Sequence, residues 1–145
     1  MRWWVTVMAL LLALDGRAAA PAVEQARFEF KFGVVVESPA GEVGFRETMH
    51  VPLEHGVASH GFVLTRLDGA PFNAYMVGRM PRTPGARGPG LLWDGNNFST
   101  PARNYPGAWV FMAGFDPGDP EGLYVMEIYI DNKLFRRIEY RVYYP

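Results

Sequence analysis

The stretch Arg27-Phe-Glu-Phe-Lys-Phe-Gly-Val34 decides the fold class. Apolar residues alternate in it with charged residues or glycine, and this period of two predicts a β-strand with one buried and one solvated face. Further short apolar segments follow, separated by Gly- and Pro-rich turns and without an amphipathic helix between them. We therefore expect an all-β domain, an antiparallel sandwich or barrel of about seven strands.

Three later segments add detail to this prediction. A second strand should carry an inward face made of Val43, Phe45, Met49 and Val51, with a bulge or a strand end near Glu47. Residues 108–115, Ala-Trp-Val-Phe-Met-Ala-Gly-Phe, are almost wholly apolar and predict a strand buried on both faces. Residues 123–142 predict a closing hairpin that turns at Asp131-Asn132, where both residues can take positive φ.

Composition excludes several classes of protein. The 145 residues suffice for one domain, and 14 Lys and Arg against 15 Asp and Glu give no reason to expect nucleic acid or an acidic membrane as a partner. The absence of cysteine excludes a disulfide framework, a thiolate zinc site and a thiol nucleophile. Ten Phe, seven Tyr and four Trp must supply the core instead.

The N-terminus predicts export. Arg2 precedes an apolar run from Trp3 to Leu14, which is too short to span a bilayer but suits a signal peptide. Small residues follow, and cleavage after Ala18, Ala20 or Ala22 satisfies the small-residue rule. We expect residues 1–20 to be a signal peptide, residues 24–145 to be a single domain without a membrane span, and the mature chain to be periplasmic or secreted. The alternative is a buried N-terminal helix.

Tyr124 lies two residues before Met126, which stands where an immunoglobulin domain would carry a cysteine. This arrangement resembles the tyrosine corner of immunoglobulin-like domains, in which the hydroxyl bonds a backbone group a few residues upstream. The alternative is an ordinary half-buried strand tyrosine.

Several turn and core positions carry a wider resemblance: Val51-Pro52-Leu53, Gly56, Gly61-Phe62, Gly69-Ala70-Pro71 and the hairpin 122–142. Together they resemble a family of small exported bacterial proteins catalogued only as a domain of unknown function. The resemblance implies an immunoglobulin-like fold and carries over no catalytic residue. The chain also lacks a nucleophile elbow, a P-loop, a dinucleotide fingerprint and a metalloprotease helix, so we expect neither an enzyme nor a cofactor.

His50, His55 and His60 are all the histidines of the chain. If a turn is centred on His55, then His50 and His60 face each other across a hairpin with Cβ atoms about 5 Å apart. Such a pair can chelate Cu(II), Ni(II) or Zn(II), and the thioether of Met49 can assist with Cu(I). The same register also turns Val63 and Leu67 inward and the histidines outward, so the alternative is a solvated histidine pair.

Residues 81–107 hold many prolines and glycines, which predicts a long loop without regular structure. Arginine together with Trp and Tyr is typical of interface hot spots and of sugar-stacking surfaces. The residues that we expect to bind are Arg82, Arg87, Trp93, Arg103 and Tyr105. The alternative is that Leu91-Leu92-Trp93 folds back and caps the sandwich.

The sequence thus predicts a non-catalytic exported module that engages another envelope or extracellular protein. The first alternative is copper or nickel binding through His50, His55 and His60. The second alternative is a carbohydrate-binding module that uses Trp93 and Tyr105.

Overall fold

The structure is a computed structural model that describes residues 27–55 and 59–145. The predicted signal peptide at 1–20 and its cleavage positions lie outside the described residues, as does Gly56. Within the described ranges, no helix has the length and apolarity that crossing a membrane requires.

The described chain is built from strands, which confirms the all-β prediction. Their bounds are β1 Phe28–Glu37, β2 Val43–Glu47, β3 His50–Pro52, β4 His60–Arg66, β5 Phe72–Arg79, β6 Leu92–Asp94, β7 Asn97–Ser99, β8 Arg103–Tyr105, β9 Ala108–Ala113, β10 Gly122–Ile130 and β11 Lys133–Tyr143. These strands outnumber the seven expected because four of them span three residues each.

The strands form two sheets that pack as a sandwich. The smaller sheet has the order β2-β1-β4-β9, and the larger has the order β3-β11-β10-β5-β7-β6, with β8 also pairing with β5. The pairing of β3 with β11 is parallel, and the other pairings are antiparallel. Strand β9 is therefore an edge of the smaller sheet.

Strand β1 has the predicted alternation. Phe28, Phe32 and Val34 are buried, and Phe30 is half-buried and packs against the same core. The ring of Phe32 lies 4.7 Å from the ring of Tyr140 in the opposite sheet. Because burying one such apolar side chain contributes about 1.5–3 kcal/mol, the inward face of β1 stabilises the packing of the two sheets.

Tyr124 forms the expected tyrosine corner. Its buried hydroxyl donates a 2.7 Å hydrogen bond to the carbonyl oxygen of Pro120, four residues upstream. Burial raises the pKa of this hydroxyl far above its usual range. The closing hairpin is also confirmed, since Asp131 and Asn132 have φ values of 48° and 63°.

The second predicted strand is divided between the two sheets. β2 ends at Glu47, as expected, but β3 begins at His50 and pairs with β11 of the other sheet. The predicted inward face is therefore wrong at Val43, which is 73% exposed, and at Met49, which is 43% exposed. The predicted inward position of Leu67 is also wrong, since Leu67 is 63% exposed.

Two further predictions require correction. β9 is not buried on both faces: Val110 is 60% exposed because nothing in the described chain covers the outer face of this edge strand. Residues 81–107 do contain regular structure, namely the short strands β6, β7 and β8. The prolines and glycines of this segment lie outside the three strands, for example Gly95 with φ of 60° between β6 and β7, so the strands keep their backbone donors.

Candidate functional site

A groove with a volume of about 630 Å³ lies between β9 and the segment that carries β6 to β8. One wall comes from the connection before β6 and the other from the chain around β8. The apolar floor comes from β9 and the residues after it. The lining residues are 88–91, 100–101, 103, 105, 109 and 111–116.

The strand that lines the groove, β9, is an open edge of the smaller sheet. Strand β9 pairs with β4, and the amides of Arg66 and Ser59 donate 2.9 Å hydrogen bonds to the carbonyl oxygens of Gly107 and Ala113. Because backbone groups alternate in direction along an antiparallel strand, the N–H and C=O groups of Ala108, Val110 and Met112 point away from β4. Within the described ranges no strand pairs with that side of β9.

The aromatic side chains behind this edge form a continuous stack. Tyr105 of β8 stacks on Trp109 of β9, with ring centroids 4.7 Å apart and planes 15° apart. Trp109 in turn meets Phe62 edge-on at 4.8 Å. Partial burial raises the pKa of the Tyr105 hydroxyl, an effect that the positive charge of Arg103 opposes. This stack joins the two sheets beneath the groove.

A narrow crevice of about 80 Å³ continues from the groove into the core. The groove and the crevice share seven lining residues, among them Leu91, Phe111 and Asp116, and the crevice reaches His60 and Tyr140. The crevice is mainly apolar, so it suits an apolar group.

His60 is buried at the inner end of the crevice. Its ring stacks on Phe115, with centroids 4.6 Å apart and planes 11° apart, and its Nδ1 lies 3.4 Å from the Oγ of Ser59. Burial lowers the pKa of His60 from its ordinary value of 6.5 to about 4, although a hydrogen bond with the Ala113 backbone opposes this shift. The imidazole is therefore neutral near pH 7.

The structure brings together some of the residues that the sequence predicted to bind. Arg103 and Tyr105 line the groove, and Trp93 lines the crevice. Arg82 and Arg87 are exposed and line neither. Trp93 packs against Phe98, whereas Tyr105 stacks on Trp109.

Leu91 and Trp93 cap the sandwich, as the alternative interpretation expected. Both are half-buried and pack against the core, and the Nε1 of Trp93 donates a 3.2 Å hydrogen bond to the carbonyl oxygen of Gly88. Leu92 does not take part, since it is 61% exposed. The cap and the groove wall are thus the same segment.

The structure separates the histidines. His50 lies opposite Arg141 in the larger sheet, whereas His60 lies between Val34 and Ala113 in the smaller sheet, so the predicted pairing of His50 with His60 is wrong. His55 is exposed and bridges to Phe115. Among the residues that the structure describes, no three His, Cys, Asp or Glu side chains are grouped to hold a metal ion.

Sequence reasoning missed the open edge of β9. The sequence does contain a feature that is compatible with an open edge, because residues 108–115 include no charged residue. An uncharged run is also what a central strand shows, and only the strand order distinguishes the two cases.

Comparison with solved structures defines the class of this protein. The chain is similar to an immunoglobulin-like protein from Pseudomonas aeruginosa (PA1606), with a TM-score of 0.56 and 14% sequence identity. The match covers 82% of this chain and 98% of the other. The fold is therefore an immunoglobulin-like β-sandwich, as the sequence predicted.

The sequence also matches the model of one protein family. Residues 30–143 match the family model described as the PM0630 beta sandwich domain, and the chain belongs to that family. This confirms the resemblance to a family of immunoglobulin-like β-sandwich domains. No curated protein matches the sequence.

Proposed function

We propose that this chain is an exported, non-catalytic binding module that engages another protein of the cell envelope or the extracellular space through the groove beside β9. The observation that carries the proposal is the uncharged edge strand β9, four of whose residues, Trp109 and 111–113, line a groove of about 630 Å³. Such an edge pairs readily with another chain unless something covers it.

The composition of the groove supports recognition of a protein. Its lining is mostly apolar and backbone, with Arg103 and Asp116 as its charged side chains. Aromatic residues and arginine are enriched in the centres of protein interfaces, and Arg103, Tyr105 and Trp109 all line this groove. The volume also falls within the range of about 300–1,000 Å³ that binding clefts occupy.

Site-specific photo-crosslinking in the producing cell tests the proposal. A photoreactive phenylalanine at Pro89, an exposed residue of the groove wall, should yield one dominant adduct with an exported protein, identified by mass spectrometry. The control position is Leu134, which is exposed on β11 and does not line the groove. Equal adducts from both positions, or none from Pro89, would contradict the proposal.

Export is tested separately. If residues 1–20 are a signal peptide, the intact mass of the mature protein should correspond to a start between Ala19 and Val23. Recovery of a protein that begins at Met1 from the envelope fraction would contradict cleavage of a signal peptide. Binding through the groove, then to an intracellular partner, would remain to be tested by the crosslink.

A further inference from the structure

The backbone of β9 determines what can bind in the groove. Ala108, Val110 and Met112 present N–H and C=O groups to the side opposite β4, so this edge offers an alternating row of donors and acceptors. The element that satisfies such a row along its length is another extended strand, since donors and acceptors then meet at the same spacing.

The other sheet edges do not share this openness. β2 ends in Arg46-Glu47. The other three, β3, β6 and β8, are each three residues long and contain Pro52, Asp94 and Arg103 respectively. Charges, proline and short length are the usual means by which proteins prevent edge pairing. β9 has six uncharged residues and none of these protections.

The groove favours a single strand over a second copy of this chain. β9 does not stand alone at the surface, because residues 88–91, 100–101, 103 and 105 line the groove together with it. A single extended segment needs less room beside these residues than a whole sandwich edge does. The two charged lining residues lie towards opposite ends: Arg103 belongs to the strand that stacks on the start of β9, and Asp116 follows its end.

The volume of the crevice limits the size of the side chain that a partner can insert as an anchor. Its volume of about 80 Å³ lies between the share of one water molecule, about 30 Å³, and the roughly 150 Å³ of a cavity that holds benzene. An aliphatic side chain of Val or Leu size fits that range, and an indole does not. Leu91 and Phe111 line the entrance that the crevice shares with the groove.

We infer that the partner contributes an extended, mostly uncharged segment that pairs with the open edge of β9 and inserts one aliphatic side chain into the crevice. This inference rests on the proposed function. The inference adds the chemistry of the bound segment to that proposal: an acidic residue beside Arg103, a basic residue beside Asp116 and an aliphatic anchor between them.

A synthetic peptide probes this mode directly. The probe is acetyl-Lys-Thr-Val-Thr-Leu-Thr-Val-Thr-Asp-amide, together with its reversed sequence, because the charges predict an orientation but not a strand direction. Amide hydrogen exchange of the mature protein, followed by NMR, reports the pairing. The amides of Ala108, Val110 and Met112 should exchange about tenfold more slowly when free peptide is about ten times its Kd. The outward amides of β2, Val43 and Phe45, should not change.

Matched variants of the peptide and of the protein distinguish strand pairing from non-specific binding. Two peptide isomers carry N-methyl groups on alternate residues, shifted by one position, so that each isomer blocks one edge of the peptide. One isomer should bind and the other should not. In the protein, Val110→Pro should abolish binding because it removes an outward donor, whereas Val110→Thr should bind normally. Should Val110→Pro fail to fold, the two isomers still decide the question.

The anchor has its own test. Replacing the central Leu of the peptide with Ala should lower affinity about tenfold or more, since three methylene equivalents leave the crevice. Replacing the same residue with Trp should lower affinity as well, because the indole exceeds the crevice.

Several results would overturn the inference. These are an equal loss with both N-methyl isomers, no slowing of the three β9 amides, and no binding of either peptide at millimolar concentration. Slowed exchange that rises with protein concentration in the absence of peptide would assign the edge to a second copy. A crosslink from Pro89 alongside any of these results would leave the proposed function intact and remove only strand pairing.

Discussion

The smaller sheet has two edges, β2 and β9, and they differ in what surrounds them. β2 is exposed to solvent and carries Arg46 and Glu47, which discourage pairing with another strand. β9 is uncharged and lies against the segment 88–105, with Tyr105 and Trp109 stacked behind it. An edge protected by its own charges needs no partner, whereas an uncharged edge strand that borders a groove is suited to receive one.

The largest expected effect comes from a pair of glycines that hold the two edges. Gly33 and Gly61 lie opposite each other on β1 and β4. A Cβ at Gly33 would overlap the carbonyl oxygen of Arg46, and a Cβ at Gly61 would overlap that of Phe111. Because the obstacle is backbone, we expect Gly33→Ala and Gly61→Ala each to lower the free energy of unfolding by about 3 kcal/mol, measured by denaturant titration.

The two variants should differ in their effect on the groove. Gly61→Ala displaces β9 and should abolish the crosslink from Pro89, whereas Gly33→Ala displaces β2 and should spare that crosslink at a temperature where both variants are folded. Gly44→Ala is the control, since its Cβ would make only an ordinary contact with Val36. A loss below about 1 kcal/mol in Gly61→Ala would mean that β9 is free to move.

The second prediction concerns pH. The folded state holds the pKa of His60 at about 4, against 6.5 ordinarily. Between these values the unfolded state binds more protons than the folded state, so stability should fall as the pH decreases from 6.5 to 4, by about 3 kcal/mol in all. Burial raises the pKa of Asp119, so protonation of this carboxyl favours the folded state and offsets part of the loss at the acidic end.

Chemical denaturation across this pH range measures the effect. His60→Phe should flatten the profile, whereas His50→Gln should preserve it because His50 is exposed in a different sheet. Since His60 pairs with Ala113, acidification should also speed amide exchange at the end of β9 before it does so in β2. Parallel profiles in His60→Phe and the parent protein would show that another group governs the acid sensitivity.

The same two edges show what the sequence could predict. The alternation in β1 and the Asp131-Asn132 turn depend on near neighbours in the chain, and both were predicted correctly. Val43 begins the edge strand β2 and is exposed, although its apolar spacing suggests an inward face. Whether that position is buried depends on which strand pairs beside it, and the local sequence does not determine that pairing.

The candidate site follows the same rule. Residues 81–107 were predicted as a binding segment from composition alone, and Arg103 and Tyr105 do line the groove. The strands β6 to β8 were missed because three-residue strands are too short to establish a period. The groove itself requires β9 to be an edge, and that is a property of strand order rather than of any single segment.

The third prediction tests how much the segment 88–105 stabilises the sandwich by covering its core. Trp93 is half-buried against Phe98 and bonded to Gly88, so Trp93→Ala should lower the free energy of unfolding by about 2 kcal/mol, less than a fully buried tryptophan would lose. The adjacent Leu92→Ala is the control, and it should change stability by no more than about 0.5 kcal/mol. Equal melting temperatures for both variants would show that the segment does not stabilise the sandwich.

The smallest effect on stability is expected from the exposed valines of the two edges. Val110→Lys on β9 and Val43→Lys on β2 each place a charge on a surface side chain, so each should change the free energy of unfolding by no more than about 0.5 kcal/mol. Their effects on binding should differ, because a lysine beside an open edge opposes the approach of another strand. Val110→Lys should therefore reduce the yield of the Pro89 crosslink, and Val43→Lys should leave it unchanged. Equal yields with similar melting temperatures would mean that the partner does not approach along β9, and the contrast between the two edges would lose its functional meaning.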